Sequence, residues 1–180
     1  MRCVQLLRRT EKCQNYVNSF VSISIHTLND GELLNQFIDF MAHNPPLAAR
    51  LIFEITQAEA AALSEIIWQQ LGRLGELGFR FSMDQVDDLD IDFEFLSLTK
   101  FRFIKVPISL ILTLPLPEDG IDWVLPWPLK AKSGVSEISL VVERIEKEAD
   151  VIEVQEYGFN YGQGDLFGAP NPSREEANAA

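Results

Sequence analysis

Cysteine, histidine and positive charge are all scarce in this chain. Its two cysteines, Cys3 and Cys13, are too few for a disulfide scaffold and have no zinc-binding spacing. They read as small hydrophobes on one helix, in a reducing cytoplasm. His26 and His43 have no second ligand at a metal-binding spacing, so they read as surface or cap residues. Fifteen Lys and Arg face 27 Asp and Glu, a formal charge of −12. That deficit argues against phosphate-led binding to nucleic acid and against a polybasic membrane anchor. No apolar run reaches the roughly 18–20 residues needed to span a bilayer. Arg8-Arg9 interrupts the first apolar stretch, so no secretory signal is expected. No glycine-rich phosphate loop follows a candidate strand, which disfavours dinucleotide and P-loop folds.

What is present is a packed globule. Hydrophobic residues make up 47% of 180, enough for one domain with a core. Residues 2–18 read as a basic helix carrying Arg2, Arg8, Arg9 and Lys12. The pattern then alternates. Strands are expected at 20–26, 51–56, 79–84, 101–106, 138–145 and 159–167, by period-two or β-branched and aromatic runs. Helices are expected from the Asn29-Asp30 cap to the Pro45-Pro46 stop, from the Thr56-Gln57-Ala58-Glu59 capping box to Gly78, over 93–100, and over 145–157. Residues 107–135 are rich in proline, and Trp123 and Trp127 there form an aromatic patch. The segment 170–180 reads as a disordered polar tail after a domain at 1–169. Strands joined by such long connections imply βαβ units and a mainly parallel sheet, as a barrel or a doubly wound sheet.

Polar residues interrupt the strands near their carboxyl ends: Ser22, Glu54, Asp84, Lys105, Glu143 and Gln163. One such residue means little, because strand ends often turn polar where the chain meets water. Several together are informative, because in a parallel barrel the carboxyl ends converge on the face that carries chemistry. Converging carboxylates repel unless they share a metal, a proton or a cation such as Lys105. The set therefore suggests a divalent-metal phosphoryl site, or the remains of one.

These segments, in order and interval, resemble the EAL-domain cyclic-di-GMP phosphodiesterases. LIFEIT resembles their ExT segment, FRFSMDQV their DDFG loop, FRFIKV their lysine strand, VVERIE their AEGVE segment, and GQGDLFGAPNP their QG-x-x-F…P ending. The resemblance implies a TIM-like (β/α) barrel of about six parallel strands, lacking its first strand region. It implies that Glu54 and Asp84 match metal ligands, that Lys105 matches the lysine near the attacking water, and that Glu143, Glu146 and Gln163 match residues of the catalytic and binding face. It also implies Mg²⁺ or Mn²⁺ as the metal and cyclic di-GMP as the ligand. The stretches DFMAHNPPLAARLIFEITQ and GFRFSMDQVDDL look like the TipF-type proteins, cyclic-di-GMP receptors of bacterial flagellar assembly, for which a protein partner is expected.

The departures from the pattern matter as much. The Glu-Ala-Leu signature is absent, and Val4-Gln5-Leu6 resembles it only superficially. Ser22 stands at the metal-ligand asparagine, Gln85 at the second aspartate of DDFG, Gln57 at the glutamate that steadies the active loop, and Asp87 at that loop's glycine. Two-metal hydrolysis needs a complete set of anionic ligands. A degenerate domain that binds cyclic di-GMP or a protein partner is therefore expected. The alternatives are an active phosphodiesterase that releases pGpG, and a structural domain with no nucleotide site.

Overall fold

The computed structural model describes residues 18–113, 138–157, 159 and 161–168. The expected basic helix at 2–18, both cysteines, the Trp123/Trp127 patch and the tail lie outside the described residues. Six strands, β1 (Ser19–Ser22), β2 (Leu51–Thr56), β3 (Arg80–Asp84), β4 (Phe101–Pro107), β5 (Ser139–Glu143) and β6 (Tyr161–Gly162), form one parallel sheet in sequential order. The sheet curls into a half-barrel flanked by helices. Among the described residues these are α1 (Ile25–Asn29), α2 (Gly31–Ala42), α3 (Gln57–Ala61), α4 (Glu65–Glu76), α5 (Phe93–Leu98), α6 (Ile108–Ile111) and α7 (Glu148–Glu156).

The period of two divides β2 and β3 between two environments, and in β4 a one-residue irregularity opposite Phe81–Ser82 shifts the phase after Phe101. Leu51, Phe53 and Ile55 of β2, Phe81 and Met83 of β3, and Phe101, Ile104 and Val106 of β4 join the core shared with the helices. Phe53 stacks with Phe79 and Phe81 at centroid distances of 5.4 and 6.2 Å, and Phe81 with Phe101 at 5.4 Å. Phe37 of α2 and Trp68 of α4 pack their rings onto Phe53 and Phe101. The other face is where Ser22, Glu54 and Ser82 stand side by side in register.

Local signals set the element ends. Asp30 caps α2 by accepting from the amides of Glu32 (3.1 Å) and Leu33 (3.0 Å). The helix ends before Pro45, which opens a 3-10 turn. The Thr56–Glu59 capping box forms as expected, but the single helix to Gly78 does not. It breaks at Ala62–Ser64, where Ser64 turns extended and starts α4. α3 is held at the barrel mouth by its cap, whereas Ile67, Leu71 and Leu74 of α4 must lie on the sheet. One straight helix cannot satisfy both.

Two other boundaries shift. β1 ends at Ser22, not His26, because Ser24 caps α1 through a bond from the Thr27 amide. α7 starts at Glu148, not Ile145, because the Ile145 amide donates to the Gln163 carbonyl and extends the β5–β6 pairing. The sixth strand shrinks to Tyr161–Gly162, followed by a 3-10 turn at Asp165–Phe167.

Candidate functional site at the barrel mouth

Lys105 is the centre of the site. It lies two residues from the end of β4, its side chain only 5% exposed. Its Nζ is 2.5 Å from Glu54 Oε1 and 3.9 Å from Glu143 Oε1. It also sits 4.7 Å from the centre of the Phe20 ring, and Phe20 meets Phe103 edge to face at 5.3 Å. A buried ammonium requires such compensation, because desolvation without a counter-charge is strongly unfavourable.

The third carboxylate joins through Glu143. Burial first, then the charge of Asp84 and a hydrogen bond with it, push the Glu143 carboxyl up to about 7, while Lys105 pulls the other way. Near neutrality Glu143 is thus partly protonated and can donate to Asp84. Lys105 and the raised Glu143 carboxyl both lessen the repulsion within the cluster.

Gln57, the first residue of α3, ties down the acidic loop after β3. Its Oε1 accepts from the amides of Asp87 (2.9 Å) and Asp88 (3.2 Å), and its Nε2 donates to the Asp88 carbonyl (2.8 Å). A glutamine can do both because its amide carries donor and acceptor. Glu59 ties the neighbouring turn: Oε2 accepts from the Thr56 hydroxyl (2.8 Å) and amide (3.2 Å), and Oε1 from the Ile25 amide (3.3 Å). These bonds, the Thr56 hydroxyl foremost, hold the Glu59 carboxyl below its ordinary value.

The structure thus brings Glu54, Asp84, Lys105 and Glu143 together. Ser22 pairs in register with Glu54 but is exposed, as is Gln85, whose backbone takes a positive φ of 51°. Gln163 contributes its backbone: its amide donates to Val142 (2.8 Å) and its carbonyl accepts from Ile145 (3.1 Å), while the residue is exposed. Glu146 is exposed beyond β5, its amide bonded to Asp150. Phe20 and Phe103 were not anticipated as site residues. The signal was available, since each stands two positions before a site residue, Ser22 or Lys105, and so shares its face.

In this structure the carboxylates are engaged with Lys105 and with one another. Glu54 gives its inner oxygen to Lys105, and Glu143 is engaged with Asp84. Among the described residues no three His, Cys, Asp or Glu side chains converge on a point that could hold an ion.

A parallel half-barrel with a lysine and carboxylates at the carboxyl ends of its strands defines a (β/α)-barrel protein with its candidate site at the strand ends. The EAL domain family matches residues 1–170, and the chain belongs to that family. Solved structures share the fold. The PaMucR phosphodiesterase in a c-di-GMP complex is 21% identical, with a TM-score of 0.65 over 88% of this chain and 64% of that one. The GGDEF-EAL part of Vibrio cholerae LapD, apo, is 13% identical, with a TM-score of 0.68 over 91% and 40%. Bacillus subtilis YkuI, in complex with substrate c-di-GMP and calcium, is 17% identical, with a TM-score of 0.66 over 95% and 42%. The chain therefore spans 40–64% of the length of these three. No curated protein is similar enough in sequence to count as a relative. No helix among the described residues is long and apolar enough to cross a membrane.

Proposed function

We propose that this EAL domain is a receptor module that binds cyclic di-GMP at the barrel mouth without hydrolysing it and passes the signal to a protein partner in the bacterial cytoplasm. The observation that carries the reading is the thinned ligand set around Lys105, which is ion-paired with Glu54 and 3.9 Å from Glu143. Ser22 and Gln85, at two further ligand positions by resemblance, offer only weak neutral oxygens. Hydrolysis by two metals requires a hydroxide generated between them, and the residual donors do not supply that arrangement. The PaMucR and YkuI structures hold c-di-GMP, which supports the choice of ligand. A role in flagellar assembly follows from the TipF-type resemblance and belongs to the same reading.

The test is calorimetric titration of cyclic di-GMP with and without Mg²⁺ or Mn²⁺, together with product analysis. Micromolar binding with no pGpG is expected. Release of pGpG by the purified chain, abolished in Glu54→Ala, would establish a phosphodiesterase instead. No binding under any metal condition would leave a structural domain.

A further inference from the structure

A cleft of about 440 Å³ opens beside the carboxylate cluster, lined by residues that include Gln85, Asp87, Ser109, Glu143 and Arg144. Its volume is in the range of small-molecule sites. Among the described residues Arg144 is the one cation in its lining. Lys105 lies outside it, committed to Glu54. An anion entering this cleft therefore has Arg144 as its source of positive charge.

Two features separate Arg144 from an ordinary surface arginine. Its backbone φ is +62°, in the left-handed region that favours glycine and is strained for a long side chain. Within VVERIE it stands at the glycine of the AEGVE segment that this stretch resembles. Its guanidinium also makes no ion pair among the described residues, although Asp87 and Glu143 line the same cleft. The strained backbone thus carries, at the cleft wall, a cation with no ion pair among the described residues, where a glycine would carry none.

We propose that Arg144 is a phosphate-binding residue, supplying a guanidinium fork to a phosphodiester oxygen pair in this cleft and standing in for the charge of a divalent metal. This rests on the reading of the domain as a cyclic-di-GMP receptor and names a residue that sets its affinity. A guanidinium suits the task because its planar fork matches two phosphate oxygens at once and stays charged at any physiological pH. The Gln85 amide and the Ser109 hydroxyl, in the same lining, are neutral donors for further oxygens.

The experiment is titration of the whole chain in EDTA with three probes: cyclic di-GMP, pGpG and inorganic pyrophosphate. Wild type is compared with Arg144→Gly and Arg144→Lys, and thermal unfolding is recorded for each. Arg144→Gly should weaken binding about tenfold or more, with Arg144→Lys intermediate, since a point charge replaces a fork. The glycine variant should melt at the same temperature as wild type or higher, because it relieves the left-handed strain. Cyclic-di-GMP binding within about twofold of wild type in Arg144→Gly would overturn the assignment and leave the receptor reading standing. Weaker binding together with a lower melting temperature would show a structural role and overturn it as well. Wild-type binding of pyrophosphate or pGpG alone, lost in Arg144→Gly, would uphold Arg144 and defeat the cyclic-di-GMP reading. Binding of none of the three by wild type in EDTA would sink the Arg144 assignment, and the receptor reading would fall with it only if cyclic di-GMP also failed to bind with Mg²⁺ or Mn²⁺.

Discussion

Lys105 and Glu54 form their ion pair across an intervening strand. Lys105 is on β4 and Glu54 on β2, with β3 between them. The residue of β3 in register with Glu54 is Ser82, fully buried and small. A larger side chain there would fill the gap through which the lysine reaches. Side chains of alternate strands meet inside parallel barrels in the same way.

Lys105→Met should therefore be strongly destabilising, by about 3 kcal/mol or more, because it leaves Glu54 and Glu143 without their counter-charge. Urea denaturation measures the loss. The variant should also gain stability from added Mn²⁺, as the freed carboxylates become available, whereas wild type should respond less. An equal Mn²⁺ response in both proteins would contradict the view that Lys105 occupies the cation's place.

Glu143 sets the sign of one pH dependence. Its carboxyl is raised to about 7 from 4.5. A raised folded value contributes stability that is fully present below about 4.5 and is lost as pH rises through about 7, because the native state resists ionisation there. Glu143→Gln should remove that slope, leaving a flatter profile of chemical stability between pH 5 and 7. An unchanged slope in the variant would assign the dependence to another group.

Gln57 holds the acidic loop by three hydrogen bonds to backbone atoms of Asp87 and Asp88. Gln57→Ala should free that loop at small global expense, about 0.5–1.5 kcal/mol, because these bonds are exposed and water replaces them. Faster amide exchange at Asp87 and Asp88 would be the signature. Gln57→Glu should be intermediate, since a carboxylate still accepts from both amides but cannot donate to the Asp88 carbonyl.

Gly164 is fixed by close approach. A Cβ there would lie 2.1 Å from the Ile145 carbonyl oxygen, which has no room to yield. Gly164→Ala should break the bonds of Gln163 and Leu166 to Ile145 and detach β6 from β5. Loss of amide protection at Ile145, with β2 and β3 still protected, is the expected result.

Much of the fold was legible because its signals are local. The apolar alternation of LIFEIT and FRFIKV, the Asp30 cap, the Thr56–Glu59 capping box and the Pro45-Pro46 stop each act over a few residues, and each appears where the sequence places it. The ordered set of strand-end residues likewise pointed to the EAL family before any contact was known. The break between α3 and α4 was not legible. It comes from the conflict between a cap held at the mouth and an apolar face held on the sheet.

The sequence by itself determined which residue types stand at the strand ends, and with them the family and the face of the barrel that carries the site. Only the tertiary structure decided how those residues are used. The reach of Lys105 across β3 to Glu54, the raised Glu143 carboxyl beside Asp84, and the left-handed backbone that holds Arg144 at the cleft depend on strands brought together from distant parts of the chain. Charges 51 and 38 residues apart in sequence acquire their energetics only when burial and the curl of the sheet set their separation to a few ångströms.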